Sequence, residues 1–444
     1  MPKKNLEEIV PEALVIGGGI AGMQAALDIA DKGFKTYLVE KSPSVGGRMA
    51  QLDKTFPTLD CAACTITPKM VEVGNHPNIE LLTYSEIGSV KKEGKNFTVS
   101  VKKKPRYVDV SKCTGCGACA EACVYKGKIP NEFDENKGGR SAIYVPFPQA
   151  VPLKYTVDPE KCLTITKGKC GKSPKCEEAC KAGAIDFTQK EEILEVKVGA
   201  IVVATGYDLF DARQKPELGY GKYDNVITGL EFERIVSSSG PTKGEILING
   251  EKPKNIVFLQ CVGSRDHSVG NEYCSRVCCM YTAKQAHLIR EKIPDAKITI
   301  CYMDVRAFGK GFEEFYERVQ KEGVIYRRGM VSEINRKGDK LLVKAEDTLA
   351  DVLYEEEADL VVLATGIVPR KDSQDLSRML KLKHTPDRFY AEKDPQDIIN
   401  TDVDGVYLAG CCQGPKDIPD AVAQASGAAA LACKRISKGK NEST

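Results

Sequence analysis

Histidine is scarce in this chain. Among 444 residues there are four, His76, His267, His287 and His384, and no two stand at the spacing of paired metal ligands. Mixed Cys/His zinc sites are therefore disfavoured. No charge of one sign dominates either: 64 basic against 62 acidic side chains leave a formal net charge of +2. Neither a nucleic acid nor an anionic membrane is expected as the main partner. The opening residues MPKKNLEEIV contain no apolar core of a signal peptide, so a cytoplasmic location is expected. Long hydrophobic runs are missing as well. The most apolar stretch, ALVIGGGIAGMQAALDIA, is broken by Gln24 and Asp28 and reads as strand, loop and helix. No direct membrane span is expected. No Ser/His/Asp or paired-carboxylate pattern offers hydrolytic chemistry a foothold. The one biased tract is the short tail KRISKGKNEST, expected to fray.

Cysteine is what the chain has in excess, with 18. Cytosolic thiols are kept reduced, so metal or redox use is the better explanation than structural disulfides. With so few histidines, cysteine-only iron–sulfur sites fit better than zinc.

The expected fold class is α/β: two dinucleotide-binding units, resembling thioredoxin reductase, with an inserted two-cluster ferredoxin domain. ALVIGGG, IAGMQAALDIADKG and KTYLVEK read as strand, helix and strand. IELLTYS and FTVSVKK follow as short strands. From about residue 106 to 187, Cys, Gly, Pro and Lys accumulate and apolar periodicity vanishes. VGAIVVATG then resumes as a buried strand, and ADLVVLATGIVP repeats it later. That paired ending suggests two related units, one wrapped around the other. The expected division is residues 1–105, 189–249 and 371–444 for the first unit, 106–188 for the insert and 250–370 for the second unit. Residues 211–250 read as a polar connection with one helix, GLEFERIVSSSG; residues 324–356 read as hairpin-like.

Gly17, Gly19 and Gly22 form G-x-G-x-x-G between a strand and a helix. The first glycine permits the turn, the second the approach of a pyrophosphate, the third close helix–strand packing. Free N–H groups at the helix start favour phosphate. Glu40 ends the next strand about 20 residues on, where a carboxylate accepts from ribose hydroxyls. EKSPSVGGR then resembles the E-x5-G-G-R of FAD-dependent two-dinucleotide-domain oxidoreductases, and GVYLAGCCQGPKDIPDAV resembles their closing FAD motif. That resemblance implies FAD, with Lys41, Gly47, Arg48, Thr205, Gly206, Gly410, Ile418 and Ala421 against it. It also puts a helix start beside the flavin, where a helix dipole favours an anionic reduced ring. Cys411 stands where the motif usually has Asp. Lys69, Tyr207, Lys416 and Asp417 are further polar candidates at these loops.

CTGCGACAEAC gives C-x2-C-x2-C-x3-C at Cys113, Cys116, Cys119 and Cys123, the spacing of bacterial two-cluster ferredoxins. Cys162, Cys170, Cys176 and Cys180 form a looser partner motif. In such ferredoxins the fourth cysteine of each run serves the other cluster. One 4Fe–4S cluster is thus expected on Cys113, Cys116, Cys119 and Cys180, the other on Cys162, Cys170, Cys176 and Cys123.

FPTLDCAACTITPKM, AIYVPFPQAVP, CVGSR followed by YCSRVCC, and AGCCQGPKDIPDAV together resemble the A subunit of heterodisulfide reductases and its bacterial relatives, from about residue 12 to 435. The resemblance implies an iron–sulfur flavoprotein serving electron transfer, whose flavin splits or merges electron pairs and in larger members bifurcates them. It implies a third 4Fe–4S cluster on Cys261, Cys274, Cys278 and Cys279, where the family has C-x12-C-x3-C-C. After the strand NIVFL come Gln260 and Cys261 and no glycine-rich turn. The nicotinamide site of an ancestral reductase reads as replaced by a cluster. The expected partners are the other subunits of such a complex, or a quinone-interacting module, with a homodimer inside it. These 444 residues lack the extra N-terminal domain, the C-terminal ferredoxin and the selenocysteine of the methanogen enzymes. Cys61 and Cys64 form C-x-x-C and stay open between a redox dithiol, ligands of a further cluster completed by a partner, and packing. Cys301 and Cys433 read as buried hydrophobes. Two rival readings are a stand-alone NAD(P)H-dependent disulfide reductase using Cys61 and Cys64, and a zinc-rich scaffold without catalysis.

Overall fold

In the computed structural model, which describes residues 8–248 and 250–440, the chain visits one sheet three times. Five parallel strands run in the order Val406–Leu408, Ala200–Val203, Glu12–Ile16, Lys35–Glu40, Ile79–Thr83. The central ones are continuous apolar runs (ALVI, AIVV), as strands covered on both faces must be. The helix Ile20–Ala30 and the long helix Ile418–Lys440 cover one face side by side. Ala25 and Ala26 on the first, and Ala421, Ala425, Ala428 and Ala432 on the second, belong to one buried cluster. Small residues let the two backbones approach closely. The terminal helix continues to Lys440, so the expected fraying of KRISKGK does not occur; the rest of that tail lies outside the described residues.

A second parallel sheet runs Val226–Thr228, Leu360–Thr365, Asn255–Val262, Lys297–Tyr302, Ile325–Arg328. This moves an expected boundary. A division at residue 250 would cut off the edge strand Val226–Thr228, so the second unit starts upstream of it. Residues 211–250 are no solvated connection either. The helix Gly229–Val236, capped by Thr228 and Glu231 in a reciprocal capping box, is buried along its whole length, including Glu231, Glu233 and Arg234. The helix Phe312–Lys321 was not expected from the sequence; its buried Phe312, Phe315 and Val319 recur at helical spacing.

Residues 79–103 form three strands, Ile79–Thr83, Ser85–Glu93 and Asn96–Lys103, where two were expected. Asn96–Lys103 pairs antiparallel with Glu192–Val198, from Phe97↔Val198 to Lys103↔Glu192. The insert leaves and returns between these neighbours, so its two ends lie close together. Arg106, buried at that entry, ties the carbonyl of Pro43 (2.7 Å) and the hydroxyl of Thr83 (2.6 Å) to Thr156 of the insert (2.7 Å). Within the insert, regular structure shrinks to short helices such as Ala118–Glu121 and two-residue ribbons. Its buried core is nine residues, three of them Cys113, Cys119 and Cys162.

Candidate functional site

A cavity of about 1010 Å³ opens above the carboxyl ends of the first sheet, the usual place for a ligand in such folds. Gly17, Gly19, Glu40, Gly47, Arg48, Thr205, Gly206, Gly410, Ile418 and Ala421 all line it. Gly17 takes φ +107°, which a side chain would oppose, and a Cβ there would strike the carbonyl of Ala204. At Gly19 a Cβ would meet nothing within 4 Å, so the turn leaves open space for a phosphate. Gly22 lies beneath, against the Gly17 carbonyl, and serves packing alone. Glu40 is fixed by the N–H groups of Gly18 (2.6 Å) and Ser42 (2.7 Å). Ile418, Pro419 and Ala421 bring a second helix start to the same cavity. Two positive helix ends thus face one space.

Not every expected residue arrives there. Lys41 does not line the cavity; it points to solvent and pairs with Asp372 at 2.9 Å. Successive side chains of a strand face opposite ways, so Glu40 and its neighbour could not both face the ligand. Arg48 lines the cavity but pairs with Glu135 of the insert at 3.1 Å. Lys69 donates to Gln24 (2.6 Å) instead. Tyr207, Lys416 and Asp417 are on the wall. Burial pushes the Tyr207 and Asp417 pKa values up and that of Lys416 down, so the pocket favours their uncharged forms. Cys411 also lines it, its thiol pKa raised by burial.

The other two units close the cavity. From the insert come Phe133, Tyr144 and Phe147, with Phe133 stacked on Phe147 at 4.6 Å. From the second unit come Gly229, Glu233, Tyr281, Lys284 and Gln285. Lys284 and Glu233 form an ion pair at 2.6 Å with side chains 1% and 2% exposed. Glu233 also takes the N–H of Asp53 (3.0 Å). Next to it, Arg234 reaches Asp134 of the insert (3.0 Å) and the carbonyl of Gln51 (3.1 Å). Sequence reasoning missed this group. Its only signal was three charges inside an otherwise helical run, which reads by default as a solvated face.

The cysteines expected as ligands gather in three places, with Cys116 exposed. In the insert, burial lifts the Cys119 thiol to about 12, with Cys113 and Cys180 beside it adding to the rise. Burial lifts Cys176 to about 11, with Cys162, Cys123 and Cys170 as its neighbours. In the second unit burial lifts Cys261 to about 11, and raises Cys278 well above its usual value beside Cys261, Cys279 and Cys274. Crowded buried thiolates repel one another; bound cationic iron removes that cost. Among the described residues no three His, Cys, Asp or Glu side chains converge closely enough to hold a metal ion. The hydroxyl of Thr164, buried beside Cys162 without a protein partner, suits a sulfide acceptor.

The third set follows a strand end that carries no glycine-rich turn. The strand Asn255–Val262 ends in a bulge with Cys261 at φ +59°, and the next helix begins only at Cys278. Tyr281, one turn into that helix, lines the cavity and lies next to the Cys278 thiol, and its hydroxyl donates to the Thr365 carbonyl (3.1 Å). Cys61 and Cys64 are joined as a disulfide at the start of the helix Ala62–Asn75, with Cys64 exposed. The pair itself is off the cavity wall, although Asp60 and Thr65 are on it. Cys301 is buried against the Tyr354 hydroxyl (3.2 Å), whereas Cys433 is only half-buried.

Residues 12–60 match the family described as FAD dependent oxidoreductase, residues 106–123 the 4Fe-4S binding domain, and residues 175–427 the pyridine nucleotide-disulphide oxidoreductases. A heterodisulfide reductase protein of the A-subunit type from Archaeoglobus profundus is 45% identical over 472 residues, 98% of this chain and 67% of that protein. The chain belongs to the A-subunit family of heterodisulfide reductases. The A subunit of the H(2):CoB-CoM heterodisulfide,ferredoxin reductase of Methanothermobacter marburgensis is 54% identical over 436 residues, 97% of this chain and 65% of that one. This A-subunit family member therefore spans about two thirds of the length of the curated relatives it matches. Thioredoxin reductase of T. acidophilum overlays with a TM-score of 0.52 at 14% identity, over 95% of this chain and 97% of that one, a likeness of fold alone. Among the described residues no helix is long and apolar enough to cross a membrane.

Proposed function

We propose that the chain holds one FAD in the large cavity and three 4Fe–4S clusters on its three cysteine sets, and that it is the electron-transfer subunit of a heterodisulfide-reductase-like complex. A bound flavin supplies exchange of electron pairs and a bound cluster exchange of single electrons. The observation that carries the reading is adjacency: Tyr281 lines the cavity and lies next to Cys278. The short path through this one ring favours traffic between the two sites. The bulged, glycine-poor end of Asn255–Val262 offers a pyrophosphate no cradle, which argues against direct hydride delivery from a nicotinamide. Around the cavity, Glu40 orients a ribose, the helix starts at Ile20 and Ile418 hold anionic groups, and the aromatic wall of the insert excludes water.

Cys61 and Cys64 read best as a redox dithiol, because they already form a disulfide; two electrons and two protons would open it. The relatives' printed names make them subunits of larger assemblies, so the partners here read as the other subunits of such a complex, and bifurcation at the flavin as its fullest form. The reading is tested by anaerobic titration of the purified protein. About one FAD and about twelve irons per chain are expected, with the flavin reduced by dithionite and unaffected by NADH or NADPH. Rapid bleaching by either nicotinamide, or flavin without iron, overturns it.

A further inference from the structure

The two sulfurs of the disulfide Cys61–Cys64 are not equivalent. Cys61 caps the helix Ala62–Asn75, and its sulfur accepts the N–H of Cys64 at 3.2 Å. Its backbone is held firmly in that position. The N–H (3.1 Å) and the hydroxyl (3.0 Å) of Thr65 both donate to the Cys61 carbonyl, and the N–H of Ala62 donates to the Asp53 carbonyl (3.0 Å). Cys61 is also the antiparallel bridge partner of Lys54. Side chains at such paired positions stand on one side of the ribbon. The carboxylate next in sequence, Asp60, is taken up by the Thr58 hydroxyl (2.6 Å). A helix start and a cation therefore both favour negative charge on the Cys61 sulfur. Cys64, by contrast, is exposed. The pair lies off the wall of the large cavity, although Asp60 and Thr65 on either side of it are on that wall.

We propose that this pair is a thiol–disulfide exchange site fed from solvent, with Cys64 as the sulfur attacked and Cys61 as the leaving thiolate. The inference rests on the reading of the pair as a redox dithiol and adds its substrate class, an external dithiol. One thiolate of the dithiol bonds to Cys64 Sγ. The bond between Cys61 and Cys64 breaks, and its electron pair stays on Cys61. The second thiolate of the dithiol then bonds to the first sulfur of the same molecule, and the Cys64 thiolate departs. The dithiol is oxidised by two electrons to a disulfide, the pair is reduced, and the two protons given up by the dithiol end on Cys61 and Cys64. Exchange runs faster the better its leaving thiolate is stabilised. That sets the order of roles: the sulfur at the helix start leaves, and the sulfur in solvent is attacked.

The test uses the purified holoprotein, its pair closed beforehand with the thiol oxidant diamide, and glutathione as a monothiol probe with no second thiol to complete the reaction. After an acid quench and alkylation of free thiols, peptide mass spectrometry should find glutathione on Cys64 and the alkyl group on Cys61, in about tenfold or greater excess over the reverse pattern. Lys54→Met should slow the reaction roughly threefold to tenfold, and Lys54→Arg should restore it. Glutathione on Cys61, or equal rates in the native protein and Lys54→Met, overturns the proposal. Reduced thioredoxin and dithiothreitol, compared at equal thiol concentration, distinguish a protein donor from a small one; failure of both to open the pair overturns the proposal as well. Cys61 and Cys64 still free after diamide would instead overturn the redox-dithiol reading beneath it.

Discussion

Lys284 and Glu233 are 2.6 Å apart and almost wholly out of water on the cavity wall. Removing one leaves the other as an uncompensated buried charge. Lys284→Met should therefore cost about 3 to 5 kcal/mol in denaturant unfolding, and K284M/E233L should regain most of the loss. Asp372 makes the opposite, exposed case. Hydrogen bonds from Arg370, and Lys41 after it, hold its carboxyl well below the usual carboxylate range. A depressed acid contributes stability above its unfolded pKa and loses it as pH falls towards the folded value. Asp372→Asn should thus lower the melting temperature at neutral pH, and the gap to the native protein should close as pH drops below about 4. Gly17, Gly19 and Glu40 could be found from sequence because their roles are local, fixed by turn geometry and spacing. Tyr281, Lys284 and Glu233 could not, since residues far apart in the chain acquire a common task only after folding.

The insert owes its shape to its cysteines more than to its helices. Three of its nine core residues are thiols, and so small an apolar core needs a staple. Removal of iron by a chelator should expose residues 106–188 to proteases first, with the two parallel sheets protected; limited proteolysis followed by mass spectrometry reads this directly. Elements with clear apolar patterns were visible in advance, as with Glu12–Ile16 and Ile20–Ala30. Ser85–Glu93 was not, because it is an edge strand whose polar residues face water and hide its alternation. The helix Gly229–Val236 was expected but its burial was not, because its charges find partners in other units, which no window of local sequence can reveal.

Three units meet at one cavity, and polar ties hold them there: Glu233 to Asp53, Arg234 to Asp134, Arg106 to Pro43 and Thr156. The twofold ending ATG foretold the pair of related sheets. The meeting of the insert with both sheets was invisible, since it depends on where two antiparallel neighbours, Asn96–Lys103 and Glu192–Val198, hold the insert's ends. The first sheet carries a temporal consequence. Its strand Ala200–Val203 lies between Glu12–Ile16 and Val406–Leu408, and one cavity wall is the start of the helix Ile418–Lys440. A ribosome must therefore finish nearly the whole chain before the yellow cofactor has a berth, whereas the ligands of the insert emerge less than halfway through synthesis. Nascent chains arrested before residue 400 should carry iron and no flavin, and loading of the two prosthetic groups should follow that order in the cell.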